Sequence, residues 1–249
     1  MIKAYVYNDG SVPIGIPCKD DKQFNRYRGL VLYQGTTEEL KNYVRQGARV
    51  ENILEVLHYS KKKSGMELFG KALEVFDRIK NEGEREGNMG KRTFGKILHN
   101  SSYGVAAQNW LNYGLTRHNK SNLTIGIFIV SYARMVSVNI VDKIFKMKGK
   151  VFYMDTDSFD TNVKLPEHMV GSKMGQLKYE GSFDKSIYLG RKQYYLMNTM
   201  SGVSKTGCKG YDSSLLSLDD WERALKNEEI LVKSWQFKKE VFLEGITSI

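Results

Sequence analysis

The chain has 249 residues, of which 41% are hydrophobic and 27% charged, and it carries a formal net charge of +10. This length supports one large or two small domains around a substantial core, and the composition is that of an ordinary soluble globular protein with no repeat or low-complexity tract. The positive surface favours phosphate backbones or anionic membranes as partners, and tilts towards nucleic acid without deciding it.

In chain order, residues 1–20 read as extended and loop structure around Pro13 and Pro17. GLVLYQG (29–35) reads as a strand, and TTEELKNYVRQG (36–47) as a helix with a threonine cap, glutamates in its first turn and a Gly47 stop. Residues 48–60 read as a strand region and lead to the basic run Lys61, Lys62, Lys63. Residues 66–82 have helical periodicity, 81–90 read as a polar loop, and a helix then ends at Gly104. A second long helix is expected over about 122–146. KVFYMD follows as a buried strand with SFDTNV as its hairpin partner, then a strand-rich stretch over 176–211. A short helix at 216–227 and a closing strand at EILVKSWQF complete the pattern, which is α+β.

Cys18 and Cys208 match no metal spacing and no disulfide framework, so a reducing compartment is the default. The four histidines, His58, His99, His118 and His168, form no ligand cluster. No bilayer span is expected: the most apolar stretch, 125–140, is interrupted by Arg134. The N-terminus has neither a signal-peptide nor a transit-peptide pattern.

Two stretches carry chemistry. In KRTFGKILHNSSYG (91–104) a helical wheel gathers Arg92, Lys96, His99, Asn100 and Tyr103 on one face. Phe94, Ile97, Leu98 and Ser101 fall opposite and are expected to pack on the protein. Arg92 and Lys96 could grip phosphate oxygens, with Tyr103 stacking on a base or sugar and Ser101 and Gly104 allowing close approach. An amphipathic helix with a solvated face fits the same pattern.

The second is YMDTDS (153–158), where Asp155 and Asp157 stand at a hairpin tip after the apolar run Val151-Phe152-Tyr153-Met154. Two carboxylates there can hold Mg²⁺, which takes oxygen ligands and keeps waters and substrate phosphates. Two such ions can serve an in-line displacement at phosphorus. Asp-Thr-Asp is equally good turn chemistry, and an Asp-x-Asp nucleotide-sugar site is a further use of the pattern. The apolar run suggests that the tip projects from a core strand.

Together, Lys96-x-x-x-Asn100-Ser101-x-Tyr103-Gly104 and Tyr153-x-Asp155-Thr156-Asp157-Ser158 resemble motifs B and C of family B DNA polymerases. Lys192-x-Tyr194 and Lys209-Gly210 are similar to that family's lysine–tyrosine motif and a later basic element. GTTEELKNYVRQGARV followed by ILEVLHYS resembles its organellar and viral, protein-primed branch. The resemblance runs from about residue 12 to about 212.

The resemblance implies a palm with an antiparallel sheet, helical fingers and the start of a thumb. Residues 1–87 would be a palm or insertion region after motif A, and 88–147 the fingers helix and a long palm helix. Residues 148–215 would be palm with motif C and the Lys-x-Tyr region, and 216–249 the thumb start or its connection. It implies that Lys96, with Arg92, holds the incoming triphosphate while Asn100 and Tyr103 shape the base-pair pocket. Asp155 and Asp157 would be catalytic metal ligands for Mg²⁺, Asp157 the more direct one, and Lys192, Tyr194 and Lys209 would contact primer DNA.

The partners implied are primer–template DNA and deoxynucleoside triphosphates, with a terminal priming protein or a chain supplying motif A, and no membrane. The expected setting is mitochondrial, organelle- or plasmid-encoded, with viral or cytoplasmic plasmid replication as alternatives. Motif A itself, Asp-x-x-Ser-Leu-Tyr-Pro, has no match: none of the three prolines follows a tyrosine. Pro13-Ile-Gly15-Ile-Pro17 resembles the turn that follows motif A in the family, so the chain is expected to start just after it, without the exonuclease domain. A partial polymerase, inactive alone, is therefore expected, with a non-catalytic DNA-binding remnant as the alternative.

Overall fold

The computed structural model describes residues 1–12, 16–17, 24–25, 28–107, 122–173, 175–209 and 212–231. It is an α+β chain whose sheets are antiparallel, divided into two compact units, Met1–Lys146 and Met147–Ile249.

The first unit opens with β1 (Ile2–Asn8), the short pair β2 (Ile16–Pro17) and β3 (Phe24–Asn25), and then β4 (Gly29–Gly35). The turn at Pro13–Gly15 lies outside the described residues. After α1 (Thr37–Arg45) and β5 (Arg49–Val56), the three longer strands form one sheet in the order β4-β1-β5. Ala4, Val6 and Asn8 alternate inward along β1, the period of two that a half-buried strand requires. Val6 sits between Val31 of β4 and Val50 of β5, which fixes the register.

Helix α1 starts where the sequence dictates: the Thr36 hydroxyl accepts from the Glu39 amide at 3.2 Å, a cap worth about 1 kcal/mol. It ends before Gly47, whose φ of +110° favours glycine and whose missing Cβ leaves room for Ser11. Glu39 itself turns into the core and is fully buried. Its carboxylate accepts from Arg134 Nε (2.5 Å) and Nη2 (2.7 Å), Ser131 Oγ (2.7 Å) and Tyr43 Oη (2.7 Å). Tyr33 Oη lies 3.0 Å away. Burial opposes the charge, but Arg134 and the hydroxyls outweigh it and hold the Glu39 carboxyl below its usual range. Burial and the Glu39 charge in turn keep Tyr33 and Tyr43 protonated far above the ordinary phenol range.

Arg134 and Ser131 come from α4 (Leu123–Lys146), which corrects the expectation about membrane spans. By length and composition this helix is apolar enough to cross a bilayer despite Arg134. Its buried face runs through Gly126, Ser131, Ser137, Val138, Ile140, Val141 and Ile144, and an ion pair joins it to α1.

Between β5 and α4 stands a helical hairpin of α2 (Gly65–Arg85) and α3 (Met89–Ala107). Residues 81–90, expected as a loop, are mostly helix; only 86–88 form the turn, with Asn88 Oδ1 accepting from the Lys91 amide at 3.0 Å to start α3. Lys91 also pairs with Glu82 (2.9 Å) and Glu86 (3.0 Å), so the charges that looked like loop solvation stitch the turn. Helix α3 continues past Gly104, where it was expected to stop, because Gly104 keeps helical geometry.

The packing face of α3 is also corrected. Phe94 and Ile97 are 56% and 55% exposed, while Gly95 lies against α2. A Cβ on Gly95 would fall 2.6 Å from the Lys80 backbone nitrogen, and one on Gly83 would fall 2.3 Å from that of Arg92. Close backbone approach at two glycines, rather than the apolar stripe, decides which way the helix faces.

The second unit begins with the hairpin β6 (Val151–Asp155) and β7 (Ser158–Thr161). Among the described residues this is a two-stranded sheet, with Phe152 exposed and Val151, Tyr153 and Met154 half-buried. The expectation of a buried core strand is thus corrected, since β6 has one partner strand rather than two. Strands β8 (Lys185–Gly190), β9 (Gln193–Met197) and β10 (Ser204–Cys208) form a meander, with β9 in the middle. Helix α5 (Leu218–Leu225), started by a Ser217–Asp220 capping box, puts Trp221 onto Ile187 and Tyr195 to make this unit's core. The expected closing strand is not formed over 229–231, and its remainder lies outside the described residues.

Candidate functional site

The β6–β7 tip is a two-residue turn, Thr156-Asp157, closed by the Asp155–Ser158 pair. Thr156 takes a φ of +57°, a left-handed conformation that costs a β-branched residue about 1–2 kcal/mol. The backbone around it is held tightly: the Asp157 amide donates to the Asp155 carbonyl at 2.7 Å, and Ser158 Oγ donates to the same oxygen at 3.1 Å. Strain held in place by such bonds is a feature of functional turns. The Asp157 carboxylate is exposed, with no ion pair among the described residues.

Asp155 is engaged on both oxygens. Thr156 Oγ1 donates to Oδ1 at 3.2 Å, and Lys192 Nζ lies 2.9 Å from Oδ2. Lys192 sits in the Arg191-Lys192 turn between β8 and β9, also at positive φ (59°). Its amide donates to Tyr153 Oη at 2.7 Å, and its carbonyl accepts from the Lys209 amide at 2.9 Å. The hydrogen bond and charge of Asp155 raise the Lys192 pKa above the usual lysine range. Tyr194 lies beside the same tip, its ring centroid 5.5 Å from that of Tyr153. Asp155, Lys192, Tyr194 and Lys209 are thus gathered into one place, although Lys192 is 37 residues from Asp155 in the chain.

Sequence reasoning missed what supports this cluster. Tyr153 stacks on Tyr188, with centroids 5.3 Å apart and planes 7° off parallel. Tyr188 Oη donates to Asp160 Oδ2 at 3.2 Å. Burial pushes the Tyr188 phenol up to about 12, helped by Asp160, and burial likewise raises the Asp160 carboxyl. Tyr153 and Tyr188 are both half-buried on their strands, next to residues already singled out, but β6 does not alternate and gave no signal of the stack.

The other predicted residues belong to the first unit. Arg92 Nε reaches towards Glu84 of α2 at 4.0 Å, so it lies at the hairpin seam rather than in a free row with Lys96. His99 does the same, 3.4 Å from Asp77. Lys96 and Asn100 are exposed, and the Tyr103 side chain lies outside the described residues, as does Gly210. Among the described residues, no three His, Cys, Asp or Glu side chains come together as a metal site; the tip offers its two aspartates.

Two curated proteins are similar to about half of this sequence. One is a probable DNA polymerase of Podospora anserina, 26% identical over 134 residues, covering 51% of this chain and 11% of its own length. The other is a DNA polymerase of Kluyveromyces lactis, 28% identical and covering 55% of this chain and 18% of its own length. The relationship is to DNA polymerases. The chain therefore spans less than a fifth of either polymerase that it matches. No protein-family model matches it, and no solved structure does.

Proposed function

We propose that this chain is the fingers–palm part of a family B DNA polymerase of the protein-primed, organellar or viral branch. Its reaction is the templated addition of deoxynucleotides to a primer 3′ end. The observation that carries the reading is the meeting of two sequence motifs at one hairpin tip: Lys192 on Asp155, with Tyr194 and Lys209 alongside.

The donor set suits magnesium in kind, being hard carboxylate oxygen at an exposed turn, and Asp155 and Asp157 would hold it. When bound, the metal supplies Lewis acidity for the attacking hydroxyl and the leaving pyrophosphate. The chain's own residues orient the partners. Lys192 and Lys209 offer cations to the primer backbone, and Tyr194 offers a flat surface beside the tip. On α3, Lys96 and Asn100 are exposed, and with Arg92 they would serve the triphosphate and the nascent base pair.

Two carboxylates are fewer than a two-metal centre uses, so a further acidic group is needed from outside the described residues or from another chain. The isolated chain is accordingly proposed to be inactive in primer extension. Its setting is proposed as mitochondrial, organelle- or plasmid-encoded, with a terminal protein as the priming partner.

A chimaera tests the reading: this chain replaces the segment of the Kluyveromyces lactis polymerase that it matches. Templated extension that disappears with Asp157→Ala supports it. Extension indifferent to Asp157→Ala refutes the site assignment, and primer–template binding to the isolated chain checks the DNA contacts independently of activity.

A further inference from the structure

We propose that Lys192 acts as a built-in counter-cation for the aspartate tip, held on Asp155 until a divalent cation binds and then released to a DNA phosphate. This deepens the polymerase reading and rests on it for the identity of the metal and the DNA.

The geometry separates a fixed base from a free head. The Lys192 backbone is pinned from both sides, its amide on Tyr153 Oη and its carbonyl under the Lys209 amide. Tyr153 is itself braced by its stack on Tyr188, which Asp160 anchors. The side chain beyond that anchor is 56% exposed, so the ammonium can leave Asp155 without moving the turn. Asp155 has its two oxygens engaged by Thr156 and Lys192, whereas Asp157 has no ion pair among the described residues. The two carboxylates are therefore unequal: Asp157 is ready for a cation, and Asp155 becomes ready when Lys192 lets go.

A divalent ion on Asp155 repels an ammonium held on the same carboxylate, so the Lys192 contact weakens as the ion binds. Lys192 is then favoured to exchange Asp155 for another anion, and a phosphate beside the tip is the nearest chemical equivalent. Cation and DNA binding become coupled through a single side chain, and by linkage each strengthens the other to the same degree.

Titration of the purified chain with Mn²⁺, followed by the electron-spin resonance of the free ion, tests this. Lys192→Gln removes the competing charge and keeps a polar side chain. It is expected to tighten Mn²⁺ binding about two- to fivefold, the scale of one exposed ion pair. Asp157→Asn is expected to weaken Mn²⁺ binding. Adding a primer–template duplex should tighten Mn²⁺ binding to the parent chain but not to Lys192→Gln.

Unchanged or weaker Mn²⁺ binding in Lys192→Gln, with Asp157→Asn still weakening it, overturns the counter-cation role and leaves the metal tip intact. Mn²⁺ binding that neither Asp155→Asn nor Asp157→Asn affects overturns both the role and the reading on which it rests.

Discussion

Removing the Glu39 carboxylate is the sharpest test of how the first unit is held together. Glu39→Ala deletes a fully buried acceptor and leaves Arg134, Ser131 and Tyr43 without it, while Tyr33 Oη retains the Thr36 carbonyl at 2.9 Å. Breaking a buried ion pair from one side costs about 3–5 kcal/mol, because the surviving charge stays uncompensated. Arg134 is 23% exposed and can partly reach water, so Glu39→Ala belongs at about 3 kcal/mol, the lower end. Arg134→Met strands the wholly buried carboxylate and belongs near the upper end, about 5 kcal/mol.

The double variant Glu39→Leu with Arg134→Met strands no charge. Its cost should be about 2 kcal/mol, from the hydroxyls of Ser131 and Tyr43 that lose their acceptor. Hydrogen exchange at the amides of α1 and α4 reads these differences locally, without assuming that both units unfold together. The pH sense follows from the depressed Glu39 carboxyl. Its stabilisation is present above the unfolded value of about 4.3 and is lost as the pH falls through the lower folded value. Glu39→Gln should therefore flatten the acid side of the protection profile. Single losses below about 1 kcal/mol, or a double cost equal to the sum of the singles, would refute the account.

Other perturbations have equally definite outcomes. Gly95→Ala pushes a methyl into the Lys80 backbone and should destabilise the α2–α3 hairpin by about 1–3 kcal/mol, measured as a fall in thermal midpoint. Gly104→Ala meets nothing within 4 Å among the described residues and should stabilise α3 by about 0.5–1 kcal/mol, while weakening deoxynucleotide binding if that surface receives the nucleotide. Trp221→Ala removes the central side chain of the second unit's core and should cost about 3–5 kcal/mol, visible as rapid proteolysis after Met147. Lys209→Gln should lower primer–template affinity and reduce the slope of log K against log salt by about one unit, with little dependence on DNA sequence.

Local chemistry in the sequence was legible at the Thr36 cap, the Gly47 stop and the β6–β7 tip, but not at the Asn88 cap or at Gly104. Gly29–Gly35 and Thr37–Arg45 could be placed because strand alternation, a threonine cap and Gly47 act within a few residues of one another. The Thr156-Asp157 tip was legible for the same reason. Orientation was not, because it depends on what lies across the interface. The wheel of α3 put Phe94 and Ile97 inside, but two glycines bring α2 closer than any apolar side chain would permit and turn those residues outward. Charge misled in a parallel way: the acidic and basic residues near 81–91 suggested a solvated loop, yet they pair across a helical turn. The Glu39–Arg134 pair spans 95 residues and has no local signature. Lys192 and Asp155 could be connected beforehand only through the family resemblance, since nothing in either motif alone shows that they meet.

Strand β5 bears on how the protein behaves in the test tube. All eight of its residues are exposed, including Val50, Ile53, Leu54 and Val56, and β1 is its one partner strand among the described residues. An open apolar edge of this kind is a template for pairing with a second molecule. Mutual repulsion from the +10 charge opposes such encounters, and salt screens that repulsion over about 8 Å at physiological strength. Solubility should therefore drop as salt is raised, the reverse of what a chain dominated by surface ion pairs would do, and a lysine placed at Ile53 should restore it.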